Sequence, residues 1–184
     1  MSSLRLFIKL SRPLPIFGVF LAFGLGTGIA RYLGASVDWT IYLLSQAWVT
    51  LLQLSMHYLG DYFAHPADIA NTRRTPFSER SDAVGPGKLS RSVALWAGVS
   101  CLAVVASLTV LLLRVIGNDP SVFLMMSLII LGMLSYSVPP LRLASSGYGE
   151  LLMSILVANL VPAFAYLLQA ETWSRLLPMT TFPL

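Results

Sequence analysis

Two carboxylates, Asp61 and Asp68, stand seven residues apart in the sequence. That is about two helical turns, so both acids would share one face if a helix ran through them. Pro66 lies between them and interrupts such a helix. Paired carboxylates can hold a hard cation such as Mg2+, whose shell is then completed by water and substrate phosphate oxygens. Arg73, Arg74 and Lys88 follow in the same polar stretch and Arg142 further on. Cationic side chains of this kind meet phosphate oxygens through charge-assisted hydrogen bonds. The chemistry this set points to is a Mg2+–diphosphate site, with Asp61 and Asp68 on the metal and Arg73, Arg74 and Lys88 on the phosphates, and Arg142 as an outside candidate. Gln53 and His57 precede Asp61 at steps of four, which extends a polar face along one helix. The plainer reading of the same residues is a helix cap and a membrane boundary, where Asp and Arg are commonly placed. No general base is assigned.

Composition sets what must carry these residues. Of 184 residues, 56% are hydrophobic and 11% charged, and the mean hydropathy is +0.75. A soluble domain carries about 25% charged residues. Less than half that charge cannot coat a water-facing surface, so lipid is the expected solvent. The net charge of +4 does not point to nucleic acid, because the basic residues flank apolar spans, where they orient a chain in the bilayer. Cys101 is the only cysteine and lies in an apolar run. It reads as a small packing residue, with no disulfide framework or cysteine metal pair to join.

The hydropathy pattern predicts an all-α, polytopic transmembrane bundle of about five helices, forming one domain over residues 1–184. The expected spans are Pro13 to Tyr32, Trp39 to Phe63, Ser90 to Ile116, Ser121 to Tyr136, and a fifth from after Glu150 to near Leu168. Residues 64–89 form a long polar loop between the second and third spans. The first span is long for a signal peptide and no clear cleavage site follows it, so it reads as retained. Gly18, Gly24 and Gly28 on that span are expected helix-packing positions. Trp39, Tyr58, Tyr62 and Trp96 read as interfacial anchors. Arg5, Lys9 and Arg12 precede the first span, and Arg73, Arg74, Arg80, Lys88 and Arg91 follow the second. The positive-inside rule places the N-terminus and the 64–89 loop in the cytoplasm and, for five spans, the C-terminus outside, in a membrane of the bacterial inner type.

Three segments carry a family resemblance. HYLGDYFAHPADIANTRRTPFS, His57 to Ser78, resembles the first aspartate-rich motif of UbiA-type intramembrane prenyltransferases. SRPLP, Ser11 to Pro15, is similar to that family's N-terminal signature. YSVPPLRL, Tyr136 to Leu143, followed by GYGELL, resembles the loop and fifth helix of its naphthoate, menaquinone-forming branch. The resemblance runs over essentially the whole chain and implies the first half of a bundle of about nine helices. Family members transfer a prenyl group from an isoprenoid diphosphate to an acceptor, often aromatic. Two aspartate-rich motifs hold the Mg2+ that neutralises the leaving group.

The departures are specific. The family frame N-D-x-x-D-x-x-x-D falls here on Gly60, Asp61, Ala64 and Asp68, so its Asn and middle Asp are replaced, and the second motif would lie beyond Leu184. The resemblance with these departures implies a truncated, non-catalytic or partner-dependent membrane protein. It would be a subunit of a larger membrane complex, or bind an isoprenoid or quinone. An active Mg2+-dependent prenyltransferase is the alternative, and a fragment without independent function the third. The expected partners are the lipid bilayer, other membrane protein subunits and an isoprenoid lipid. The expected cofactor is Mg2+ where diphosphate chemistry survives, and otherwise a lipid, quinone or pigment.

Overall fold

The structure is a computed structural model and describes residues 2–64, 81–117, 119–172 and 174–181. Among the described residues the regular elements are helices, and the only β-pairing is an isolated bridge between Val84 and Leu89. In chain order they are α1 (Ser3–Ser11), α2 (Pro13–Tyr32), α3 (Trp39–Tyr62), α4 (Arg91–Ile116), α5 (Pro120–Ser137), α6 (Gly149–Ala170) and α7 (Leu176–Thr181). The five expected spans coincide with α2 to α6. The short helices α1 and α7 were not expected.

Among the described residues, four stretches are long and apolar enough to cross a membrane: Ser3–Tyr32, α4, α5 and α6. The 24-residue α3 has the length but carries Gln46, Gln53, His57 and Asp61. It tolerates them because it is the central helix, packed against α2, α4, α5 and α6, and all four of these side chains are buried. Burial inside a bundle lets polar groups avoid lipid contact, which an outer helix cannot offer.

Helix starts follow from local chemistry. Asp38 caps α3, its Oδ1 accepting from the backbone N–H groups of Thr40 (2.8 Å) and Ile41 (3.0 Å). Asp119 caps α5 by accepting from Ser121 N–H at 2.7 Å. Each cap satisfies amides that a helix start leaves open, worth about 1 kcal/mol. Pro13 and Pro120 occupy first-turn positions, where no N–H partner is lost. Pro162 is different, for it stands inside α6, and Ile155–Leu160 before it widen into a π-helix. A proline cannot donate to the carbonyl four residues back and its ring crowds that carbonyl, so the preceding turn opens.

The core gathers Val19 and Phe23 of α2, Trp48, Leu52 and Met56 of α3, Val105 and Leu112 of α4, several α5 side chains and Phe164 of α6. Phe164 lies 5.5 Å from the ring of Trp48 and 6.4 Å from that of Phe23. Trp48 buries its indole and donates Nε1–H to Thr109 Oγ1 at 2.7 Å, joining α3 to α4.

Among the described residues, a Cβ on Gly18, Gly24 or Gly28 would meet nothing within 4 Å. The close backbone approach is made at Gly26, where a Cβ would land on the carbonyl of Pro162. The reason is rotational: Gly26 faces α6, whereas Gly24 and Gly28 are turned away from it by the helical step of about 100° per residue.

Candidate functional site

The polar face of α3 runs along the bundle and ends in a charged joint. Arg12 sits at the corner between α1 and α2 in the left-handed conformation, with φ 52° and ψ 73°. That corner swings its side chain toward the C-terminal end of α3. Arg12 Nη2 lies 3.4 Å from Asp61 Oδ1, and the two side chains are 9% and 1% exposed. The backbone N–H of Ser81 donates to both Asp61 oxygens, at 3.2 and 3.3 Å, and the Ser81 hydroxyl donates to Oδ2. Ser81 Oγ in turn accepts from Ala83 N–H at 3.1 Å. One carboxylate therefore joins the α1–α2 corner, α3 and the segment that leads into α4.

The neighbouring residues strengthen the same joint. His57 Nδ1 is 3.0 Å from the carbonyl of Ser11. A carbonyl only accepts, so Nδ1 carries the proton of this contact. Ser11 Oγ donates to Phe7 O at 3.0 Å, which leaves Tyr58 Oη as the donor to Ser11 Oγ at 2.7 Å. Tyr58 is buried here and is not the interfacial anchor expected from its type. Trp39 and Trp96 are exposed, as anchors would be. Leu10, Tyr58, Ala83, Val84 and Ala94 close an apolar cluster beneath the joint.

The basic residues take separate partners. Lys88 Nζ binds Asp82 Oδ1 at 2.7 Å, and Lys9 Nζ approaches Asp82 Oδ2 at 3.6 Å. Arg91 Nη2 donates to the carbonyl of Ala64 at 3.2 Å. Arg142 follows the end of α5 in a left-handed conformation, and its carbonyl accepts from Ser145 N–H and Oγ. The C-terminal ends of α3 and α5 are adjacent, since a Cβ on Gly60 would meet Ser137 Oγ at 3.4 Å. Asp61, Lys88, Arg91 and the end of α5 thus share one end of the bundle.

No family model, curated protein or solved structure matches this chain.

Of the residues expected to do chemistry, Asp61, Lys88, Arg142, Gln53 and His57 are described, whereas Asp68, Arg73 and Arg74 lie outside the described residues. Among the described residues no three His, Cys, Asp or Glu side chains come together as a metal-binding group. A guanidinium beside Asp61 repels an incoming cation and takes lone pairs that a metal would need. Gln53 is the other notable group. It is 1% exposed, and among the described residues neither its Nε2 nor its Oε1 has a hydrogen-bond partner. Two turns away, Gln46 gives Nε2–H to Thr50 Oγ1 at 3.2 Å, while its Oε1 has no partner among the described residues.

The sequence reading missed Arg12 and Ser81 as partners of Asp61. In the sequence Arg12 reads as one of three orientation charges and as part of the SRPLP segment, and neither reading pairs it with Asp61. Ser81 lies 20 residues from Asp61, and a lone serine in a polar loop carries no signal of its own.

Proposed function

We propose that this chain is an integral membrane protein of UbiA-like architecture, a non-catalytic subunit of a larger membrane assembly that seats an isoprenoid or quinone lipid. The observation that carries the reading is the state of Asp61. The acid that a diphosphate enzyme would present to Mg2+ is engaged by Arg12 and Ser81 and serves as a tie between three segments. The replacement of the family frame's Asn and middle Asp by Gly60 and Ala64 agrees with that use. The buried, unsatisfied amide of Gln53 supports the lipid-binding part. An amide without a partner costs about 1–3 kcal/mol, and a ligand carbonyl or hydroxyl reaching it would recover that.

A second reading keeps one observation on its side. Lys88 and Arg91 gather with Asp61 at one end of the bundle, and Asp68, Arg73 and Arg74 lie between Asp61 and Lys88 in the sequence. Such a basic rim suits a diphosphate, as in a Mg2+-dependent prenyltransferase. The test between them is prenyl transfer from an isoprenoid diphosphate by the purified chain, with and without Mg2+. The subunit reading expects no Mg2+-dependent product. Product formation that Asp61→Ala abolishes would establish the enzyme.

A further inference from the structure

The helix α1 has a surface that the bundle does not use. Its nine residues bury Leu6 and Leu10 against the protein. Leu4, Phe7 and Ile8 remain 69%, 37% and 52% exposed. At about 100° per residue these five fall on one continuous apolar arc, half against protein and half open. Arg5 borders the open half, and Lys9, one turn on and also exposed, lies toward the buried half.

Length fixes where this surface lies if the chain spans a bilayer, the reading on which this inference rests. The 20 residues of α2 extend about 30 Å, which already matches the hydrocarbon thickness of about 30 Å. The α1 helix is therefore surplus to the span and belongs at the level of the headgroups. The left-handed Arg12 ends it and frees its direction from that of α2. The joint of Ser11, His57, Tyr58, Arg12 and Asp61 then holds it against the bundle end. A helix so placed meets acyl chains with Leu4, Phe7 and Ile8 and lipid phosphates with Arg5 and Lys9. That is the pattern of an amphipathic interfacial helix.

We infer that α1 is an interfacial docking surface for anionic phospholipid, with Leu4, Phe7 and Ile8 in the acyl boundary and Arg5 and Lys9 on the headgroups. The occupant is a lipid leaflet rather than a protein, because the open apolar strip is narrow and bordered by Arg5, with Lys9 one turn on, a positive edge complementary to a negatively charged membrane surface. Lys9 shares its charge with Asp82, so Arg5 carries the larger part of the headgroup attraction.

The test uses the full chain in vesicles, with Cys101→Ser and a fluorescent label on Leu4→Cys or, as a control inside α2, on Phe17→Cys. Quenching by spin-labelled phosphatidylglycerol is compared with quenching by spin-labelled phosphatidylcholine and by aqueous iodide. The expected result is lipid quenching at position 4, a preference for phosphatidylglycerol, and a fall in that preference of about fivefold in Arg5→Gln. Iodide quenching at position 4 with lipid quenching at position 17 would overturn this inference alone. Equal quenching by the two lipids at position 4 would overturn its anionic part. Iodide quenching at both positions would overturn the membrane reading and this inference with it.

Discussion

Asp61→Ala removes the charge that balances Arg12 in a joint where both side chains are nearly buried. Breaking one side of a buried ion pair costs about 3–5 kcal/mol, because the remaining charge keeps its desolvation penalty without its counter-charge. The Ser81 N–H and hydroxyl also lose their acceptor. The expected loss is therefore about 4 kcal/mol, a large part of the stability of a protein this size. The double variant Arg12→Met with Asp61→Leu removes both charges and fills the space with apolar atoms. It should recover most of the loss, since apolar replacement of a buried pair is often neutral or stabilising. Reversible unfolding of the purified proteins in mixed micelles, read by circular dichroism with added denaturant, compares wild type, Asp61→Ala and the double variant. A single variant too unstable to purify still leaves the double variant measurable. Wild-type stability in Asp61→Ala, or a double variant no better than the single, would refute the reasoning. Stabilisation of the wild type by Mg2+ that Asp61→Ala removes would return Asp61 to the role of a metal ligand.

Gly26→Ala puts a Cβ onto the Pro162 carbonyl and should cost at least about 2 kcal/mol or open the α2–α6 crossing, whereas Gly24→Ala and Gly28→Ala should change unfolding by less than about 0.5 kcal/mol. Equal effects at all three would mean that the helix is rotated from the position described. Gln53→Leu should raise the stability of the ligand-free protein by about 1 kcal/mol, since it removes an unsatisfied buried amide, and should strip any co-purifying isoprenoid or quinone seen by lipid mass spectrometry. A loss of stability in the ligand-free protein would show that the amide is already satisfied.

Much of the bundle was legible because its helices are long apolar runs and prolines mark their ends. Pro13, Asp38, Asp119 and Pro120 sit where their chemistry starts a helix, and the expected spans begin within a residue or two of them. The central position of α3 was legible only in part. The Gln53, His57 and Asp61 periodicity gives a shared face, but not that neighbouring helices cover it. The α1 helix escaped notice because Arg5, Lys9 and Arg12 read as orientation charges, and a nine-residue amphipathic segment is short against that background. The joint at Asp61 was illegible for a different reason. Its partners Arg12 and Ser81 lie 49 residues before and 20 residues after it, and only the folded corner at Arg12 brings them together. The glycine spacing shows which glycines share a face but not which face meets α6, and that face is the one carrying Gly26.

We propose that this chain works as a part of a membrane assembly rather than as a solitary enzyme. Gentle extraction from its native membrane, followed by mass spectrometry of everything that co-purifies, separates the two. A membrane subunit should bring a stoichiometric set of other membrane proteins, with an isoprenoid or quinone lipid retained. A chain that comes alone and transfers a prenyl group with Mg2+, in a reaction lost in Asp61→Ala, would contradict it.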